Sequence, residues 1–434
     1  MNELKSNSGS RILLLMQFCL LACSDGSTAN APDAAIIPDT RMGDGSTVDV
    51  SAGDLGPPDP FRKSVETAMK SISSDWLKLR VEILAADDME GRDNLLPGGE
   101  KARDYLIAEL AAMGVVPYGM GEWTQAFDKG VNVIGEIAGK DPLLSKEYVL
   151  LGAHYDHLGP ACGDINGDTI CNGATDNATG VAAVLGVAQA LLNNVTGTRR
   201  SILIVFWDAE EDGLLGSKYY VNSGLPVALD SIVAVVNIDT VGTTIIPGVD
   251  SSFAIGSEYA TNIRPLIHAN SKTSNYVAHA VSSFFDGSDG NRGSDHLPFR
   301  KASMPVVWYA GGTPAEYHTP ADEVNLVDWP KLAGVTRHAL LTTADLANTQ
   351  TKPEFVTEPK PHIDDAVALL EMAEVALQDP GIVSRLNESM LDLAKQWVEK
   401  LQDYVQSPPQ TEAEWDEYQT FLKGIIALVY TLLV

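Results

Sequence analysis

Cysteine is scarce, cationic side chains are few, and no apolar run is long enough to cross a bilayer. The chain has 434 residues with 4 cysteines, and 30 Lys and Arg against 58 Asp and Glu, a net charge of −28. Its pI is about 4.5. A chain this acidic repels phosphate backbones, and no local basic patch offsets that, so a nucleic-acid partner is excluded. The balance suits a soluble protein or one that holds divalent cations. The apolar runs at 12–21 and 425–434 fall well short of the ~20 residues a spanning helix needs. No internal repeat is present. What remains is a globular composition, 45% hydrophobic and 20% charged, with length for two or three domains or one large α/β domain with additions.

The first apolar run follows Lys5 and Arg11 and ends in Leu20-Leu21-Ala22-Cys23. A basic flank, a short apolar core and a small residue before a cut are the pattern of a secretory signal. The ending resembles the lipobox of bacterial lipoproteins, which implies that residues 1–22 are removed and Cys23 is acylated. Ser24 after it resembles lipoproteins sent to the outer membrane. The alternatives are an ordinary signal with an incidental cysteine, or a buried N-terminal helix. Residues 23–60, rich in Ser, Gly, Ala, Asp and Pro without apolar periodicity, read as a flexible acidic tether. The expected location is the cell envelope, facing the periplasm or the surface and held only by lipid, or outside the cell. Cys162 and Cys171, nine positions apart in one polar loop, fit a small disulfide in an oxidising compartment. Such a closure contributes somewhat under about 3 kcal/mol in the chain-entropy account. Two free thiols are the alternative.

Apolar runs at 131–137, 148–152, 201–207, 232–238 and 305–309 read as strands, several buried on both faces. Helical spacing appears at 99–113, 177–192 and 329–346. The alternation predicts a three-layer α/β/α sandwich around a mixed, mostly parallel sheet over 61–350. Beyond residue 350, prolines mark a break and three helical stretches form a C-terminal extension, 351–434. Its middle helix carries a stripe of Leu386, Met390, Leu393, Trp397 and Leu401.

In open α/β sheets, ligands bind beyond the carboxyl ends of the strands. Five such places offer imidazole or carboxylate groups: Ala153-His154-Tyr155-Asp156-His157, Asp208-Ala209-Glu210-Glu211-Asp212, Asp239, Glu316-Tyr317-His318, and Thr175-Asp176-Asn177 before a helix. Imidazole and carboxylate together suit zinc.

Gly152-Ala153-His154-Tyr155-Asp156-His157, Asp176-Asn177-Ala178-Thr179-Gly180, Ala209 to Ser217, Asn237-Ile238-Asp239 and Tyr317-His318-Thr319 stand in the order and rough spacing of the M28 zinc aminopeptidases. Asp88-Met89-Glu90-Gly91-Arg92 and Ser294-Asp295-His296-Leu297-Pro298-Phe299 are also similar to that family. The resemblance covers about 75–350, leaving the tether and the C-terminal helices outside it. It implies a dinuclear zinc exopeptidase acting on peptides or proteins. His154 and Asp239 would hold one zinc, Glu211 and His318 the other, and Asp176 would bridge them. Glu210 would be the general base and Asp156 the carboxylate orienting the His154 ring. Two zinc ions about 3.5–4 Å apart clamp a water and polarise the scissile carbonyl. They need a bridging anion, and an adjacent Glu pair can divide ligation from proton transfer. His157 and His296 are read as neighbours of the ligands or packing residues, and Asp208 and Asp212 as structural or solvated.

Asp164, Asn166 and Asp168 alternate like the start of a calcium loop, although Thr169 stands where such a loop has glycine and no Glu closes it. A Ca²⁺ site there or a solvated acidic turn are both open. Rival readings of the whole are a carboxypeptidase-like or dipeptidase member with the same metal centre, a glutaminyl cyclase, or a binding protein on a peptidase scaffold. The intact set of five ligands and a base argues against the last.

Overall fold

Strands that are apolar along their whole length can be satisfied only between two layers, and that is where these runs lie. The computed structural model describes residues 59–118, 121–160, 162–223, 226–283 and 293–433. The signal segment, Cys23 and nearly all of the tether lie outside the described residues.

The strands are β1 (Val116–Pro117), β2 (Thr124–Phe127), β3 (Gly130–Ile137), β4 (Tyr148–His154), β5 (Ser201–Trp207), β6 (Ile232–Ile238), β7 (Ser252–Ile255), β8 (Ala278–His279) and β9 (Val306–Ala310). They form one sheet in the order β1-β3-β5-β4-β6-β9-β7-β8, with β2 beside β3. Its centre is parallel, β5 with β4, β4 with β6 and β6 with β9. β1, β2 and β5 each run antiparallel to β3, and β7 runs antiparallel to β9. The expected mixed, mostly parallel sheet is therefore present. The short strands β1, β2, β7 and β8 had no apolar run to announce them.

Alternation within each strand feeds two cores. Val149, Leu151, Ile202, Ile204, Phe206 and Val236 face one layer. Leu150, Leu203, Val205, Trp207, Val235 and Val306 face the other. The larger layer holds α1 (Pro60–Met69), α2 (Ser74–Leu84), α3 (Pro97–Met113), α4 (Thr179–Asn194), and then, past α5 (Leu215–Ser223), α6 (Ile263–Ser274). The smaller layer holds α5 through Tyr220 and α7 (His296–Lys301) through Phe299. α8 (Trp329–Asn348) returns to the larger layer. Helix starts follow local chemistry: Ser73 caps α2 by accepting from the Trp76 amide, and Asp328 caps α8 by accepting from that of Lys331. The structured chain begins at Pro60, five residues before the Val65 at which apolar periodicity becomes readable.

The extension contains α9 (Asp364–Gln378), a one-turn α10 (Pro380–Val383), α11 (Glu388–Gln406) and α12 (Glu412–Leu433). Ala368 and Met372 of α9 pack with Ile246, Phe253 and Ile255 at the sheet edge. Leu369 of α9 joins Leu401, Tyr418 and Leu422 in a separate cluster. Of the α11 stripe only Leu401 is fully covered, while Met390, Leu393 and Trp397 are half-buried. Among the described residues no helix is long and apolar enough to cross a membrane.

Candidate metal centre

β4 ends on His154 itself, so the last residue of a fully buried strand presents its imidazole at the rim. Two groups of three donors converge there, His154, Asp176 and Asp239, and His157, Asp176 and Glu211, with the donor atoms of each group within 4.8 Å of one another. Asp176 belongs to both. Its Oδ1 lies 3.2 Å from His154 Nε2 and its Oδ2 3.1 Å from His318 Nε2. His154 Nε2 is 3.3 Å from Asp239 Oδ1, and His318 Nε2 is 3.0 Å from Glu211 Oε2. The five residues expected as ligands are thus brought together from five separate segments.

The turns that deliver them are irregular. The backbone reverses through positive φ at Ala209 just before Glu210, at Thr240 just after Asp239, and at His318 itself, with φ of 56°, 49° and 60°. Non-glycine residues hold such conformations only where the surrounding structure imposes them, at about 1–3 kcal/mol each. The helix expected from 177 begins at Thr179. Asp176 and Asn177 have non-helical dihedrals, the peptide bond between them is cis, and Asn177 Nδ2 donates to the Ile238 carbonyl.

Asp156 lies beside the His154 ring and has a second task as well. His154 Nδ1 lies 3.1 Å from the Asp156 backbone carbonyl and 3.6 Å from its carboxylate. The carboxylate also accepts from the backbone amides of Glu210 and Glu211, at 3.1 and 3.2 Å. Asp156 therefore ties the end of β4 to the turn after β5 and fixes the Glu pair.

Two groups whose work the sequence did not disclose lie behind the cluster. Asp322 is fully buried and accepts from the amide and hydroxyl of Thr175 and from the Asp176 amide, at 2.9, 2.7 and 3.1 Å. Its only signal was a carboxylate four residues after His318. Arg92, also sealed, donates to the carbonyls of Tyr155, Leu84, Asn172 and Gly173 at 2.6–2.9 Å. Tyr317 stacks on the His318 ring at 3.7 Å between centroids. Burial first, and then Asp176, Glu211, Asp239 and Glu210, hold its phenol strongly neutral. His157 touches Glu211 through Nδ1 at 2.7 Å. His296 is buried and stacks on Trp308. Asp208 is structural, accepting from the amides of Val131 and Ala209.

The electrostatics are those of a cation site. Burial pushes the Glu210 carboxyl well up, His154 opposing and Asp295, Asp239 and Glu211 adding to it. Burial alone would lower His154, but Asp239, Glu210, Asp156 and Asp176 raise it well above the usual imidazole range. His318 rises to about 10 because Asp176 and Glu211 outweigh its burial. Protons on imidazoles thus balance carboxylates that a divalent cation would balance better. The donor set, imidazole nitrogens with carboxylate oxygens and one carboxylate shared, fits a pair of zinc-like ions.

The disulfide between Cys162 and Cys171 is present, with Cα atoms 6.1 Å apart. It closes a hairpin turning at Asn166 and Gly167, both at positive φ. Asp164 accepts from the Gly167 amide and Asp168 from that of Ile170. Turn chemistry therefore accounts for the alternation of Asp164, Asn166 and Asp168.

The paired imidazole–carboxylate groups at the strand ends of this α/β/α sandwich could hold metal ions. Residues 132–343 match the model of peptidase family M28. The chain is 29% identical over 251 residues to leupeptin-inactivating enzyme 1 of Streptomyces exfoliatus, covering 58% of this chain and 49% of that one. It is 24% identical to a glutamate carboxypeptidase 2 homolog of Caenorhabditis briggsae, covering 62% and 39%. Against aminopeptidase YwaD of Bacillus subtilis it is 26% identical, covering 52% and 46%. The chain thus spans half or less of the length of these curated relatives. The LapA aminopeptidase of Legionella pneumophila has a similar fold, with a TM-score of 0.53 and 18% identity over 68% of this chain and 79% of that one. The chain is thus similar to M28 peptidases over 132–343 and shares its fold with an aminopeptidase.

Proposed function

We propose that the chain is a dinuclear zinc aminopeptidase that removes N-terminal residues from peptides. The observation that carries this reading is the sharing of Asp176, one oxygen toward His154 and the other toward His318. His154 and Asp239 would hold one ion, Glu211 and His318 the other, with Asp176 between them. The ions would supply Lewis-acid polarisation of the peptide carbonyl and of a water molecule. Glu210, which makes no part of either donor group, accepts a proton from the attacking water and delivers it to the leaving amine. Asp156 holds Glu210 and Glu211 by their amides, so that base and ligand keep their places through turnover. The lipobox-like segment supports a lipoprotein exported to the cell envelope and held there by Cys23.

The carboxypeptidase homolog among the relatives favours one second reading, a member of the same type that binds a free carboxylate. The test is hydrolysis of one peptide pool by the zinc-loaded protein, comparing free and N-acetylated termini, with Glu210→Gln alongside. Trimming of free termini only, abolished in the variant, is the expected result. Equal cutting of acetylated peptides overturns the aminopeptidase reading.

A further inference from the structure

The second subsite holds one more imidazole than the five-ligand reading uses. His157 is fully covered, and its Nδ1 lies 2.7 Å from Glu211 Oε1, against 3.6 Å from Asp176 Oδ2. The other oxygen of the same carboxylate, Oε2, lies 3.0 Å from His318 Nε2. One carboxylate is therefore gripped on its two oxygens by two imidazoles. His318 Nε2 stands almost equally far from Glu211 and Asp176, at 3.0 and 3.1 Å, as a co-ligand of one ion would, whereas His157 Nδ1 is close to Glu211 alone, as a donor to an acceptor-only carboxylate would be. His157 Nε2 is buried with no hydrogen-bond partner, which an acceptor nitrogen tolerates better than an N–H.

The ring cannot easily swing away. Gly173 sits at φ 55°, and a Cβ there would stand 2.5 and 2.6 Å from His157 Cδ2 and Cγ. The His157 backbone amide donates to the Arg92 carbonyl. Glu211, by contrast, stands on an irregular turn, held by its amide to Asp156. Without a second hold its side chain could rotate about three bonds.

We infer that His157 is a positioning residue for the second metal subsite: its Nδ1–H holds Glu211 Oε1 so that Oε2 faces the ion, and the imidazole is not itself a ligand. This rests on the two-ion reading proposed above. It divides the work of one tetrapeptide, with His154 offering a ligand, Asp156 fixing the Glu pair by its backbone, and His157 fixing one member by its side chain.

The test strips the full chain of metal and titrates zinc in competition with a chromophoric chelator, and cobalt(II) by visible absorption. The forms compared are wild type, His157→Asn, His157→Gln and His157→Ala. The Asn amide nitrogen falls near the place of Nδ1 and can donate the same bond, while that of Gln falls nearer Nε2 and cannot. Wild type should bind two equivalents. His157→Ala and His157→Gln should keep one and bind the other about 10–100-fold more weakly, the usual loss for a residue that orients a ligand. His157→Asn should recover most of that loss, with the fully loaded cobalt bands unmoved in all forms. The Asn–Gln contrast decides the matter even if the alanine variant fails to fold. Unchanged binding in His157→Gln overturns the inference, as does equal weakening in Asn and Gln with displaced cobalt bands, which would make His157 a ligand. Fewer than two equivalents in wild type would instead strike the two-ion reading itself.

Discussion

Replacing Arg92 with methionine should destabilise the protein and loosen the metal centre together. The guanidinium is sealed from solvent and donates to four backbone carbonyls. Tyr155 adjoins His154, and Gly173 opens the turn that carries Asp176. The Gly173 carbonyl keeps the Ala178 amide as a donor; a stranded buried carbonyl costs about 1–3 kcal/mol, so the other three at a middle value come to about 6 kcal/mol. Against this, burial lowers the guanidinium pKa from 12.5 to about 10, with Asp176, Asp322, Asp156 and Glu211 opposing. Removing the charge therefore returns about 3 kcal/mol at 1.4 kcal/mol per pKa unit. The net loss is about 3 kcal/mol, less if water reaches the carbonyls. Arg92→Lys should recover only part of it, because one ammonium cannot span carbonyls from three segments. Urea unfolding of metal-free protein measures the stability, and zinc competition the affinity. A methionine variant with an unchanged unfolding midpoint and unchanged zinc affinity would refute the assignment.

Three further outcomes are expected. Asp322→Ala strands the amides of Thr175 and Asp176, and should lower zinc affinity about 10–100-fold while leaving the Cys162–Cys171 hairpin intact, read by the same competition and by thiol titration. Zinc binding near pH 7 should release protons from His154, His318 and Glu210, so calorimetric enthalpies should vary with the ionisation enthalpy of the buffer; buffer-independent enthalpies would contradict the electrostatics described. The metal-free protein should lose stability from pH 5 to 7. Burial raises Asp295 to about 7, so the unfolded chain gives up that proton first and stability falls by about 1.4 kcal/mol per pH unit within the window. His318, raised to about 10, extends the fall above pH 6.5; Asp208 and Asp365, which burial also raises to about 7, share the acid part, so Asp295→Asn should lessen it without abolishing it. A midpoint urea concentration that rises from pH 5 to 7 would sink this.

The central strands were legible because burial on both faces leaves a one-letter signature: 201–207 and 232–238 agree with β5 and β6 to the residue. The edge strands were not, since β1 and β8 have two residues each and owe their shape to neighbours. The candidate site was legible wherever an expected ligand ends or directly follows a strand, as His154 and Asp239 do. It was illegible wherever a side chain serves a backbone group far away in sequence. Asp322 answers amides 146 and 147 positions earlier, and Arg92 answers carbonyls on three loops, so neither has a local pattern. Asp156 was found by spacing beside His154, but its second set of partners was not, because nothing in His-Tyr-Asp-His says that the Glu210 and Glu211 amides will lie beneath it. The alternation in 164–168 was a hairpin's turn residues, which share their composition with cation loops.

Because the candidate donors are spread from His154 to His318, no short stretch of the chain would contain a whole subsite. His318 follows β9, the last of the four central parallel strands to be made, and it faces both Asp176 and Glu211. A nascent or partly unfolded chain therefore presents scattered imidazoles and carboxylates with only ordinary affinity for metal. Tight binding arrives all at once, when non-local pairing is complete. Metal occupancy should then act as a late lock on folding, slowing unfolding far more than it speeds folding. Destabilising variants remote from the rim would first reveal themselves by leaking metal.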